Sequence, residues 1–567
     1  MNLEALPNEL LLLVFSYLDG CDLLQGFYNL NSHFNQLLYQ QFRNYQFKFD
    51  SISKAQFDWI CQQHLPNIID RTIYLALNEW AGSPGLIQLF FSYFPSINHF
   101  IRLEYLKISL INSSQILIII THALPYLSRL IYLNLSANPS CPQDKIDRKL
   151  LLNNVWNLPR LRSCHLNCRN LDDSYTFSMT TQSVSIRYLH LSGFQLEYDD
   201  INTLLNHTPN LKHMNVHIFV SRRTDNYTPS VVSSNKLSSL KISICLREDY
   251  SLLFLLLKTL PNLRQLRIRI DSIQLNGYQL EQFIRNYLPN LKKFTFIIDK
   301  FLYDLAPDFQ TTIEQLFASF QTPFWIDEHK WYVQCVKYDT YLYLYTLPSN
   351  MGNNRSELPD LWYSTKPNDR LEDFHTNISQ IDCNKLFKRS LSSSLRLSQI
   401  ENLSTRLPLH EQFWSIIPNL DKLSSLGLIL DATASASYMQ TLFDCAPHVR
   451  SLSIQSLNMP IFTCTQSSIY ILSFKNYRFC AEDCLKLAQS SLGQQCQRLL
   501  IELEHQQDIL ILIENMPNLR TLKVKFDESQ DKNEILQWLQ HRLSKTIYVS
   551  FVSNLMNKMA TIQIWIR

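Results

Sequence analysis

Glycine is the scarcest feature of this chain, with nine in 567 residues where an average sequence carries roughly 7%. None of the nine is followed by lysine, and none has a second glycine two positions on. That removes the phosphate-cradling Gly-Lys-Ser/Thr loop and the Gly-x-Gly turn of a dinucleotide fold. Paired cysteines are missing too. The thirteen cysteines include no Cys-x-x-Cys; the closest pairs, Cys164/Cys168 and Cys480/Cys484, have no second pair at zinc-finger spacing. They read as buried reduced thiols, and no metal or cofactor is expected. His410-Glu411 lacks the second histidine of a zinc protease, and no Gly-x-Ser-x-Gly elbow occurs. Acid pairs such as Asp172/Asp173 and Asp199/Asp200 sit in polar connections, where caps and solvated turns are the simpler reading. The chain therefore reads as non-catalytic, with no catalytic residue assigned.

An excess of one charge sign is absent as well. Lysine and arginine number 52 against 49 acids, a net +3, so no global field points to nucleic acid or an anionic membrane. The apolar runs at 115–127 and 252–260 are too short to cross a bilayer, which takes about 20 residues. Seven Asn-x-Ser/Thr sequons, among them Asn112 and Asn206, matter only in a secreted chain. The apolar opening lacks a basic leader: Glu4 and Glu9 precede it, and Asp19 and Asp22 follow. A soluble cytoplasmic or nuclear protein is expected. With 46% hydrophobic and 18% charged residues, the chain is globular, and its length suits several domains or one elongated repeat array.

What is present begins at once, with LPNELLLLVFSYLDGCDLL from Leu6 to Leu24. Pro7 suits a first helical turn and Glu9 the positive end of the helix dipole, so a helix is expected over about Asn8–Leu18. Leu10, Leu13, Val14, Tyr17 and Leu18 follow the spacing of one inward stripe, which leaves Leu11, Leu12 and Phe15 over. Asp22 is positioned to cap a second helix carrying Leu23, Leu24 and Phe27, and a third carries Phe34, Leu37 and Leu38. Three short helices cannot hide all of these side chains, so the surplus face needs a partner, within the chain or outside it.

This stretch resembles the F-box: Leu-Pro, an acidic residue two on, an apolar pair before Phe, a Leu, then an Asp-capped helix opening Leu-Leu. The resemblance covers about residues 3 to 48 and is weaker in LNSHFNQLL, where Phe34 stands in the place of a usual tryptophan. It implies docking to a Skp-type adaptor, and through it to a cullin of a ubiquitin ligase. The residues matching the adaptor-contacting positions are Leu6, Pro7, Leu10, Val14, Phe15, Leu18, Leu23 and Leu24. The alternative is a helical cap on a non-catalytic scaffold.

Beyond it the sequence repeats. Pro-Asn-Leu occurs at 209, 261, 289, 418 and 517, each time entering a short alternating strand, and the same strand recurs at 103, 130, 161, 186 and 237. The central apolar residues Leu106, Leu133, Cys164, Leu189, Met214, Leu240, Leu266 and Phe294 lie 27, 31, 25, 25, 26, 26 and 28 apart. That period falls within that of leucine-rich repeats, and Leu130, Leu133, Leu135 and Asn138 fit the full Leu-x-x-Leu-x-Leu-x-x-Asn. The other copies lack the asparagine, so the resemblance is to a degenerate leucine-rich repeat. The expected architecture is α/β: an F-box at 1–50; a strand–helix solenoid with a parallel sheet at 51–299; an irregular insertion with an aromatic hairpin at 300–415; and a second solenoid part at 416–567, resuming at Leu426, Leu452, Leu472, Leu499 and Leu522. The last twenty residues are apolar and expected to close the array.

In such a solenoid the residues between core leucines line the concave face. The position after each central residue gives Lys107, Asn134, His165, His190, Asn215, Lys241, Arg267 and Thr295, with no acid among them. His190, His217, Lys241, Arg267 and Arg269 are therefore the candidate contacts to an unidentified target protein, one presenting an acidic or phosphorylated segment. An ordinary solvated sheet face would also be polar, and an enzyme would need an acid, base and nucleophile gathered there.

Overall fold

The computed structural model describes the chain apart from residues 1–2, 51, 80–81, 138–146, 169–178, 220–235, 246–250, 271–274, 302–308, 339–340, 349–356, 390, 393, 432–433, 456–459, 527–531, 544–546, 554–559 and 567. It divides into two compact units: Met1–Leu275 with Gln279–Phe294, and Asn276–Tyr278 with Thr295–Arg567.

The first unit opens with three helices, α1 (Asn8–Ser16), α2 (Gly20–Phe27) and α3 (Ser32–Gln36), the last running on through Leu37–Gln41. Asp19, not Asp22, caps α2: its carboxylate accepts from Cys21 N–H at 2.8 Å, because the helix begins directly at Gly20. Asn31 caps α3 by accepting from Phe34 N–H at 2.9 Å, and its amide donates to Glu4.

Nine strands follow: β1 (Tyr45–Phe49), β2 (Thr72–Asn78), β3 (Tyr105–Ile111), β4 (Tyr132–Ala137), β5 (Ser163–Cys168), β6 (Tyr188–Leu196), β7 (His213–Phe219), β8 (Ser239–Cys245) and β9 (Gln265–Ile270). They pair in chain order, each parallel to the next. Parallel neighbours need a crossover, and helices such as Leu86–Tyr93, Ser114–Ala123, Arg148–Trp156 and Tyr198–His207 supply it on one face. Leu75, Leu106, Leu133, Cys164, Leu189, Met214, Leu240 and Leu266 stand in register across β2 to β9, all buried. The period read from the sequence is thus the step from one strand to the next. β1 and β2, which lack the leucine phrase, extend the array before the first repeat expected.

An asparagine ladder has a substitute. One carbonyl per repeat accepts two N–H groups from the next. Ile131 O takes Arg162 and Ser163, Arg162 O takes Arg187 and Tyr188, Arg187 O takes Lys212 and His213, and Lys212 O takes Ser238 and Ser239. The asparagine of Pro-Asn-Leu stitches the same seam: Asn210 donates to Val184 O at 2.8 Å and Asn290 to Pro261 O at 3.3 Å. Its leucine plugs the core, as Leu211 and Leu263 are fully enclosed. Asn138 lies outside the described residues.

In the second unit, β10 (Lys293–Phe301), β11 (Val333–Tyr338), β12 (Tyr341–Thr346) and β13 (Leu361–Ser364) pair antiparallel: β10 with β12, β12 with β11, and β11 with β13. The expected aromatic hairpin is β11–β12. Trp325 and Trp331 before it are buried rather than offered to a ligand. Parallel stacking returns in β14 (Gln380–Asp382) and β15 (Asn402–Leu407), ahead of the expected restart. It continues through β16 (Ser425–Leu430), β17 (Ser451–Gln455), β18 (Ile471–Phe479), β19 (Arg498–Leu503) and β20 (Thr521–Phe526). Leu403, Leu426, Leu452, Leu472, Leu499 and Leu522 form its leucine row. A hairpin of β21 (Tyr548–Ser553) and β22 (Ala560–Trp565) ends the sheet, β22 running antiparallel to β20.

Candidate interaction surfaces

The first surface is the outer face of α1, and its phase is the reverse of that expected. Leu11 and Phe15 are the inward residues, both fully enclosed; Leu10, Leu13, Val14 and Tyr17 face water at 47%, 52%, 38% and 83% exposure. A helix apolar all round offers two usable stripes; the one bearing Phe15, which has no hydroxyl to satisfy, goes inside, and the one bearing Tyr17 stays in water. Phe15 packs 4.9 Å from Phe27 and 5.9 Å from Phe42, ring centre to ring centre, and Phe27 lies 5.4 Å from Phe34. Of the eight residues matching adaptor-contacting positions, Phe15, Leu23 and Leu24 are therefore core. Leu6 and Leu18 are half-buried, and Leu10, Val14 and Pro7 are exposed.

The helices are also joined to the array. A Cβ on Gly20 would sit 2.7 Å from the Phe47 ring, so α2 rests directly on β1. Asp19 reaches the same strand, accepting from Lys48 N–H at 3.1 Å. Tyr28 packs on Trp59 and on His64, and Gln25 accepts from Gln56 at 2.8 Å.

The second surface is the face of the β2–β9 sheet that the helices leave open. One row across it runs Lys107, Asn134, His165, His190, Asn215, Lys241, Arg267, register partner by register partner. Lys241 lies opposite Arg267 on adjacent strands; Arg269 lies two residues on, opposite Ser243, which is itself opposite His217. His190 is separated from Lys241 by Asn215. The structure thus brings Lys241, Arg267 and Arg269 together and sets His217 one strand and His190 two strands from Lys241. Burial, then the Arg267 and Arg269 charges, lower the Lys241 pKa. Burial, then His165 and Lys241, lower that of His190.

The row two positions earlier, on the same face, carried no expectation from the sequence. Tyr74, Tyr105 and Tyr132 are register partners, stacked at 5.9 and 6.0 Å with 28° between planes. Tyr132 reaches His165 at 5.3 Å, His165 reaches His190 at 5.5 Å, and Tyr188 stacks on His213 at 4.5 Å and 4°. Tyr105 and Tyr188 are 39% and 45% exposed. The signal was in the strand phrases themselves, LEYL, LIYL and IRYL, at the position before each central leucine.

Among the described residues no group of three or more histidine, cysteine or acidic side chains is arranged to hold a metal, and no helix is long and apolar enough to cross a membrane. The fold defines a class, that of α/β strand–helix repeat proteins with leucine-rich-repeat-like strands. Within it, no family model matches the chain and no curated protein does. Among solved structures the chain is similar to one described as a TLR13–ssRNA13 complex, at 16% identity and a TM-score of 0.27, covering 80% of this chain and 58% of that one. It is similar also to an internalin, InlF, from Listeria monocytogenes, at 12% identity and a TM-score of 0.20, covering 82% and 92%. The chain thus spans little more than half the length of the first.

Proposed function

We propose that the protein is a non-catalytic substrate-recognition subunit of a Skp–cullin–F-box ubiquitin ligase. The three-helix module holds the adaptor, and the open sheet face of the first unit holds the target. The observation that carries the adaptor half is the outer face of α1, where Leu10, Leu13, Val14 and Tyr17 stay exposed at helical spacing while the same helix buries Leu11 and Phe15. Exposed large apolar residues clustered on one helix face suit a partner. The ligase would gain from this arrangement by proximity: a held target presents its lysines at high effective concentration to the loaded conjugating enzyme.

A second reading, a scaffold whose N-terminal helices cap the array, is favoured by the Gly20–Phe47 approach. The two are compatible in space, since the cap uses α2 and the inner face of α1. The deciding experiment is binding of purified Skp-type adaptor to the full chain. Leu10→Asp with Val14→Asp should lower affinity by on the order of 2 kcal/mol or more, as interface anchors do. Thermal unfolding should barely move, because both sites are exposed. Adaptor binding absent in the native chain would leave only the cap, and binding unchanged in the variant would overturn the outer face of α1 as the contact.

A further inference from the structure

The open face carries two chemically different halves on one continuous surface. Toward β2–β4 lie the stacked Tyr74, Tyr105 and Tyr132; toward β8–β9 lie Lys241, Arg267 and Arg269. Between them His165 lies tilted against Tyr132, His190 meets His165 edge-on, and Asn215 separates His190 from Lys241. From β2 to β9 the open-face positions of these rows include no acidic residue. Lys241 and Arg267 stand directly opposite each other; like charges so placed are destabilising, and a sheet face under no demand to bind would set an acid opposite one of them.

We propose that the tyrosine row and the basic patch form one track that holds a linear segment of a partner protein, apolar or aromatic at one end and acidic or phosphorylated at the other. This rests on the reading of the sheet face as the target site and names what the target must carry. The track crosses the strands instead of running along them. From β3 to β9 it spans six strand spacings of about 4.8 Å, roughly 29 Å. An extended segment covers that with about nine residues at 3.3 Å each. The tyrosines favour a peptide over a single-stranded nucleic acid. Their ring faces are already taken up by one another, whereas sequence-tolerant base binding needs faces free to stack on bases. Their exposed edges and hydroxyls suit aliphatic side chains and a peptide backbone. At the other end the guanidinium group of exposed Arg267 offers a fork of donors that matches carboxylate and phosphate oxygens.

The test uses the full chain and fluorescein-labelled twelve-residue peptides in a Gly-Ser background. One carries a Leu-Phe-Leu block and a Glu-Glu-Glu block separated by four residues. A second carries phosphoserines in place of the glutamates, two more carry either block alone, and an oligo-dT of equal charge stands for nucleic acid. The two-block peptides should bind at least tenfold tighter than either block alone, and the glutamate and phosphoserine arms distinguish the two anion sources. Tyr105→Ala and Tyr188→Ala, both at exposed sites, should remove the gain from the apolar block while leaving the acidic block's binding intact; Tyr105→Phe should retain it. Arg267→Glu should abolish binding of every acidic peptide. If the acidic block alone binds as well as the two-block peptide, and Tyr105→Ala changes nothing, the track is overturned and the basic patch alone stands. If no acidic peptide binds, the sheet face is not a target site and both readings fall. Tighter binding of oligo-dT than of any peptide overturns the peptide assignment.

Discussion

At the scale of single residues, two buried ionisable groups give the first unit an opposed response to pH. His64 is fully enclosed among Tyr28, Tyr39 and Trp59, and burial lowers its pKa from 6.5 to about 4. Between those values the unfolded chain takes up a proton that the folded one refuses. Its contribution is therefore full above pH 6.5 and is lost as pH falls toward 4. Glu79 is the reverse. Burial pushes its carboxyl up from 4.5 to about 7, partly offset by the N–H of Gly85 donating to it at 2.9 Å, and its second oxygen finds no partner among the described residues. The folded state holds a proton that the unfolded state releases, so this contribution is full below pH 4.5 and is lost as pH rises through 7. In denaturant titrations Glu79→Gln should leave stability unchanged at pH 5 and raise it at pH 8. His64→Phe should flatten the slope between pH 6.5 and 4, whatever it does to the absolute value. Neither group carried a signal in the sequence, because only the fold reveals which acid and which histidine are enclosed.

At the scale of elements, α2 holds a controlled comparison. Gly20 and Gly26 lie in the same helix, but a Cβ at Gly20 meets Phe47 whereas one at Gly26 meets nothing within 4 Å. Gly20→Ala should cost about 1–3 kcal/mol by forcing α2 off β1. Gly26→Ala should stabilise by about 0.4–1 kcal/mol by restricting the unfolded chain. Urea midpoints of the two variants check both. Strands were the most legible elements. The leucine phrase fixes which residue faces inward, since a slip of one would turn every side chain over, and the rows Leu106 to Leu266 and Leu426 to Leu522 stand as read. β1 and β2 escaped because QFKF and IYLAL alternate without that phrase. The phase of α1 escaped for a different reason: LLLLVF supplies apolar residues on every side, and only Phe27 and Phe42, distant in sequence, decide which stripe goes in. The start of α2 lies three residues ahead of the expected one, capped by Asp19 and not Asp22, because local sequence offers either aspartate and the packing of Gly20 on Phe47 favours the earlier.

At the scale of the molecule, stability is a sum over neighbouring repeats, as in other linear arrays. Leu240→Ala, removing a leucine 2% exposed between β7 and β9, should cost roughly 2–5 kcal/mol. Amide exchange should show the loss concentrated in β7–β9 and weaker at β2. Function should divide in the same way. On the proposed ligase reading, reversing Arg267 and Arg269 to Glu should abolish target capture and its salt sensitivity, since exposed charges are screened within about 10 Å at 0.1 M salt, and should leave adaptor affinity untouched. Co-precipitation of targets and adaptor from cells expressing the variant reads both at once.

The seating of α2 on β1 has a metric consequence. With the helical module fixed to the first strand and one strand laid down per repeat, the number of repeats sets the separation between the module and any ligand on the sheet. Seven steps of about 4.8 Å separate β1 from β8. Removing one whole repeat between β2 and β8 would bring the two ends closer by one step without changing the chemistry of either. The array is then a ruler graduated in repeats, and on the proposed ligase reading the lysine on a target that comes within reach would be chosen by counting strands.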